Sequence, residues 1–203
     1  MLATIKVHGT TREAFLLRST LAAAAAYGTT SASGLVAGAL ARSADHDVDI
    51  LNYAVTLQYV QSAFYGPAAT EVDGLSREDG QLVRRLRDDA DAHVEALTAA
   101  IKDLGGRVAA TPTFAFGDAL ASRAAFLKTA SMLADTAASA YNGAATSIAS
   151  ADVLATAAAI AQVEARHAAL IRLARDRTPA PQAFDEPSTM EEALASVQPF
   201  VTA

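Results

Sequence analysis

From Asp45 onward, apolar residues recur every three and four positions, the spacing of amphipathic helices. Leu51, Ala54, Gln58, Gln61 and Tyr65 form a first seam, which Gly66-Pro67 is expected to end. Ser76 with Asp79 has the spacing of an N-terminal cap, and a second seam follows as Leu86, Ala90, His93, Leu97, Ala100 and Leu104. Gly105-Gly106 closes it. Beyond the loop 107–117, Asp118 is expected to open a third helix with the seam Leu127, Ala130, Ala134, Ala137 and Tyr141, and Asn142-Gly143 to begin a short turn. The fourth seam is Val153, Ala157, Ile160, Glu164, His167, Ile171 and Ala174, stopped by Pro179 and Pro181.

Four helices of this length make one all-α bundle. Short turns join the first helix to the second and the third to the fourth, giving two antiparallel hairpins. The longer middle connection can then cross from one end of the bundle to the other. An internal repeat supports this arrangement. Leu57-Gln58 and Tyr65 lie 76 residues before Leu133-Ala134 and Tyr141, and Ala90 and His93 lie 74 before Glu164 and His167. The expected organisation is an N-terminal extension over residues 1–41, the bundle over 45–176 and a tail over 177–203. Phe184, Met190, Leu194 and Phe200 are the tail's expected anchors on the bundle.

Composition narrows the function classes. The chain has 203 residues, 52% of them apolar, much of this alanine, which favours closely packed helices. A net charge of −6 with no basic stripe argues against a nucleic-acid partner. No cysteine is present, so disulfides, iron–sulfur clusters and thiol nucleophiles are excluded. Ser and Thr residues pair with no histidine in a nucleophile motif, and Asp88, Asp89 and Asp91 read as a solvated acidic face.

The first forty residues have the anatomy of a signal peptide. A mildly basic start (Lys6, Arg12, Arg18) precedes a small apolar run from Ser19 to Ala41, and Ala39-Leu40-Ala41 offers a small-x-small cleavage site. The run is too polar in its middle for a membrane span, so no transmembrane helix is expected in the mature chain. Thr11-Arg12-Glu13-Ala14-Phe15-Leu16 is similar to a twin-arginine export motif with glutamate for the second arginine. Export to the cell envelope or periplasm is the expectation; the chain stays cytoplasmic if the Arg12-Glu13 signal is inactive.

Candidate chemistry sits on the fourth seam. Glu164-Ala-Arg-His167 places a carboxylate and an imidazole on one helix face, the ligand pair that helices of a two-metal bundle turn inward. Its counterpart on the second helix, Ala90-Asp-Ala-His93, keeps the histidine and lacks the glutamate.

Asp49-Ile50-Leu51-Asn52-Tyr53-Ala54, Gln58-Tyr59, Ala63-Phe64-Tyr65, His93-Val94, Ala140-Tyr141-Asn142-Gly143 and Val163-Glu164-Ala165-Arg166-His167 together resemble bacterial ferritin-like-domain proteins. Their group includes desiccation-related proteins, often exported by the twin-arginine route. The resemblance covers roughly residues 45–200 and implies a ferritin-like four-helix bundle with the long crossover between helices two and three. It also implies a metal site built from one glutamate on each of helices one and three, and a Glu-x-x-His pair on each of helices two and four. Here those positions hold Gln58, Ala134, Ala90 with His93, and Glu164 with His167. One carboxylate cannot balance two divalent ions in a dry core.

Three roles remain open for the surviving groups. His93, Glu164 and His167, with Gln58 as a weak neutral donor, could hold a single Fe, Mn or Zn ion. They could instead form a buried cluster with Gln58 and Tyr65 or Tyr141 whose polar groups satisfy one another. Or their placement on a partly wet seam is chance. The expectation is a non-catalytic binding or structural protein of the cell envelope with a decayed di-metal centre, no bound cofactor and no assigned catalytic residue. The alternative is a metal-dependent oxidoreductase or metal-binding protein using the residual site. Ligand and oligomeric state, a homo-oligomer included, are left open.

Overall fold

The computed structural model describes residues 32–202, with side chains from residue 43 onward. Two compact units divide the chain, Met1–Ser43 and Ala44–Ala203. Of the first, only the helical stretch from Ala32 is described, so the Arg12-Glu13 motif and most of the signal-like segment 1–41 lie outside the described residues. In chain order the α-helices are α1 (Ala32–Glu71), α2 (Arg77–Asp103), α3 (Arg123–Ala144), α4 (Ala151–Ala174) and a short α5 (Met190–Val197). Among the described residues no helix is long and apolar enough to cross a membrane.

Local chemistry explains most helix ends. Ser76 accepts from the Asp79 backbone N–H while the Asp79 carboxylate accepts from the Ser76 N–H, a reciprocal cap that starts α2. Gly105, at a left-handed φ of 75°, lets the chain leave α2. Ser122 and Ser150 cap α3 and α4 by accepting from Ala125 N–H and Val153 N–H.

Three expected boundaries differ. α1 does not stop at Gly66-Pro67; Pro67 lies inside it and the helix runs on to Glu71. Proline removes one backbone donor there, a cost offset by burying Ala68 in this extra turn and Val72 just beyond it. Asp118 sits in a 3₁₀ turn, Gly117–Leu120, and α3 opens only after the Ser122 cap. Asn142-Gly143 is helical rather than a turn, because α3 continues until Tyr141 and Ala144 are buried.

The seams point inward as the spacing predicts, except at two ends: on α2 the buried position after Leu97 is Ile101, with Ala100 and Leu104 only partly covered, and on α4 Ala174 is only partly covered. The core has two apolar halves. One gathers Phe64, Tyr65, Leu86, Phe126, Leu133 and Ile171. The other gathers Leu51, Val55, Leu97, Ile101, Val153 and Ile160. On α1, α2 and α4 the chain passes from one half to the other through Gln58–Gln61, Ala90–His93 and Glu164–His167. A polar layer therefore sits between two greasy ones.

The connection from α2 to α3 crosses the bundle lengthwise. It leaves beside the start of the α1 seam, where Asn52 donates to the Arg107 carbonyl and accepts from Ala109 N–H. It arrives where Arg123 N–H donates to the Asp73 carbonyl. On the way Thr113–Phe114 (β1) pairs antiparallel with Val201–Thr202 (β2), and Phe116 packs edge-on against Phe64 at 5.0 Å.

The tail folds back, and of the four expected anchors only Phe200 packs against the core. Phe184 is 85% exposed, and Met190 and Leu194 are exposed at 40% and 38%. Ala193 and Val197 of α5 are buried instead, with Phe200 packed beside Phe116. The Thr189–Glu192 cap starts α5, which packs on α3 through Ala193 and Val197, the pair four positions apart on one face.

Candidate functional site

The polar layer is built around Glu164, which is fully buried. Its two oxygens accept separately: Oε1 from Gln58 Nε2 at 2.8 Å and Oε2 from Gln61 Nε2 at 3.2 Å. With its amide N–H committed to the carboxylate, Gln58 turns Oε1 toward His93, whose Nδ1–H donates across 3.2 Å. The same His93 nitrogen lies 3.3 Å from Glu164 Oε1. Tyr141 OH stands 3.5 Å from Gln58 Nε2.

His167 is held from its far side. Its Nε2–H donates to Asp89 Oδ2 at 2.9 Å, and Arg85 approaches the same Asp89 oxygen at 3.7 Å. Its Nδ1 faces Glu164 Oε2 at 3.7 Å, an ion-pair distance too long for a hydrogen bond. That nitrogen has no hydrogen-bond partner among the described residues, and the same is true of Gln61 Oε1 and Tyr65 OH. Asp89 therefore grips a histidine on the opposite helix instead of standing in for the missing glutamate beside His93.

The charges follow from this packing. Burial pushes the Glu164 carboxyl up, but His167, His93 and the Gln58 amide outweigh it and draw the pKa down to about 2. Burial also opposes charging His167, and the flanking Glu164 and Asp89 carboxylates overcome it, raising its pKa. Tyr65 and Tyr141 are pushed well above the usual phenol range, first by burial and then by the Glu164 charge. The layer holds an ionised carboxylate that accepts from the Gln58 and Gln61 amides.

All six positions of the expected ligand set are buried: Gln58, Ala90, His93, Ala134, Glu164 and His167. The structure joins Gln58, His93, Glu164 and His167 in one network, while Ala90 and Ala134 contribute only apolar surface. The rings of His93 and His167 stand 6.4 Å apart, on different oxygens of Glu164. Among the described residues no group of three or more His, Asp or Glu side chains is placed to hold a metal ion. Sequence reasoning missed the role of Gln61. Its spacing of three from Gln58 on the same seam was the available signal.

Residues 46–177 match the family model described as a ferritin-like domain. No curated protein matches the chain at a significant level.

Proposed function

Because this chain belongs to the ferritin-like domain family, we propose that it is a bundle whose di-metal centre has been replaced by a hydrogen-bonded polar cluster, and that it acts as a non-catalytic binding or structural protein. The observation that carries this is the double acceptance by Glu164 from Gln58 and Gln61. Amide N–H groups present positive hydrogens to the one carboxylate in the set, which engages its lone pairs and repels a cation. The donors do not fit two divalent ions: four positive charges would meet a single carboxylate and neutral groups. Metal analysis of purified protein tests it. Iron, manganese and zinc should all fall well below one ion per chain, and one tightly held ion per chain would overturn the proposal.

One observation favours a second assignment. His167 presents an unpartnered Nδ1 to the core while Asp89 fixes its other nitrogen, the way metal-ligating histidines are commonly oriented. A single Fe, Mn or Zn ion would use His167 and Glu164, with His93 giving up its bond to Gln58. Stoichiometric metal that is lost on His167→Ala would establish this metal-binding or oxidoreductase role.

The envelope location rests on the similarity of the Thr11–Leu16 stretch to a twin-arginine motif and of the chain to desiccation-related proteins. A reporter fused after Ala41 should be exported poorly, and Glu13→Arg should improve export by the twin-arginine route. Equal export of both versions would overturn this part.

A further inference from the structure

A second polar feature lies away from the core, on the outer face of the α3–α4 hairpin. The chain leaving α4 runs back along this hairpin as a strap over residues 179–188. Arg172 pins the start of the strap, donating through Nη1 to the Pro179 carbonyl and through Nη2 to Asp135 at 2.5 Å. Ser188 N–H pins its end on the Ser139 carbonyl. Between strap and helices lies a cleft of about 480 Å³, within the range that holds small ligands.

The small residues Ala138, Ala165 and Ala168 line the cleft's helix side as a floor. Its charges are sorted by element. The helices supply Lys128, Arg172 and Arg175 against one carboxylate, Asp135, and the strap supplies only Asp185 and Glu186. Arg172 and Asp135 neutralise each other. The side chains of Lys128, Arg175, Asp185 and Glu186 form no hydrogen bond or salt bridge among the described residues. Two cations and two anions without a hydrogen-bonded partner thus line one cleft. Arg175 and Asp185 are both within electrostatic reach of Asp135, and Ser131, Thr136 and Gln182 add neutral hydrogen-bonding groups. Among the described residues that line the cleft none is aromatic.

We propose that this cleft binds a small zwitterion of the amino-acid class, its carboxylate held by Lys128 and Arg175 and its ammonium by Asp185 and Glu186. A simple anion would meet Asp185 and Glu186 at the strap, and a simple cation would meet Lys128 and Arg175. Only a ligand carrying both charges satisfies both walls, and charge-assisted hydrogen bonds to both ends give it orientation. The site does not depend on the state of the core, so metal content and zwitterion binding succeed or fail separately.

Thermal-shift and calorimetric titrations of the full chain test this, using each of the common amino acids as probe. Sodium acetate and methylamine hydrochloride at matched ionic strength serve as the separated halves. At least one amino acid should raise the melting temperature saturably with one site per chain, and neither half alone should do so. Neutralising either wall, by Lys128→Gln with Arg175→Gln or by Asp185→Asn with Glu186→Gln, should weaken binding by about tenfold or more. Ala165→Leu should fill the floor and abolish binding while leaving the helical circular dichroism intact. The proposal is overturned if no amino acid binds, if either half binds equally well alone, or if binding survives both neutralised walls and the filled floor.

Discussion

Gln58 and Glu164, 106 positions apart, share a 2.8 Å hydrogen bond at the centre of the bundle. The same Gln58 accepts from His93, so one neutral side chain ties α1 to both α2 and α4. Gln58→Leu keeps roughly the volume and removes both functions. Glu164 then loses a donor and His93 an acceptor in a dry core, and the variant should lose about 2–4 kcal/mol of stability by urea denaturation. A loss near zero would mean the network contributes no stability.

The Asp79–Arg123 pair gives a pH signature free of the histidine cluster. Arg123 donates to both Asp79 oxygens, at 2.7 and 3.0 Å, and to the Ala174 carbonyl, linking the start of α2 to the start of α3 and the end of α4. Arg123 and the Ser76 cap hold the Asp79 carboxyl below its usual value despite burial. A depressed carboxylate stabilises the fold above its unfolded pKa of about 3.9 and loses that contribution as pH falls through the folded value. Asp79→Asn should therefore cost about 2 kcal/mol at neutral pH. The gap from wild type should stay flat down to about pH 5 and close below about pH 4. A gap that widens on acidification would contradict the pairing.

Gly143 is a point of close approach. A side-chain carbon there would collide with the Ser188 carbonyl, where the strap crosses α3. Gly143→Ala is favourable for an isolated helix, yet here it should loosen the tail. Hydrogen exchange should rise across residues 179–197, and stability should fall by about 1–3 kcal/mol. Unchanged exchange in the strap would show that it does not rest on this glycine.

What the sequence made legible follows from how local each cause is. The seams, the Ser76–Asp79 cap and the burial of Gln58, His93, Glu164 and His167 are set by periodicity and neighbours three or four positions away. The errors fall where distant contacts decide. Pro67 was expected to end α1, but the turn after it is held by tertiary burial of Ala68 and Val72. Phe184 was expected to anchor the tail by its size, but the strap, pinned at Pro179 and Ser188, leaves it outside. Asp89 reads in the sequence as part of a solvated acidic face, but its partner, His167, lies 78 residues later on α4. No spacing rule reads a bond between two helices whose relative rotation is unknown.

The sharpest test of the core restores what the donor set lacks. Gln58→Glu, Ala90→Glu and Ala134→Glu together would give the layer four carboxylates and two histidines, all at positions already buried. The four positive charges of two divalent ions would then meet four negative ones, and iron or manganese should bind at about two ions per chain. Without metal the same variant should be less stable than wild type at neutral pH, because like charges crowd a site where one carboxylate now has donors on both oxygens. That penalty should shrink on acidification, as protonation relieves the repulsion, and it should reverse on adding metal, since an ion bound only by the folded state stabilises it by mass action. Both arms matter. Metal binding without an apo penalty would mean that the metal-free layer relieves the repulsion by holding protons on the new carboxylates, and an apo penalty without metal binding would mean that the helices no longer stand at ligand distance.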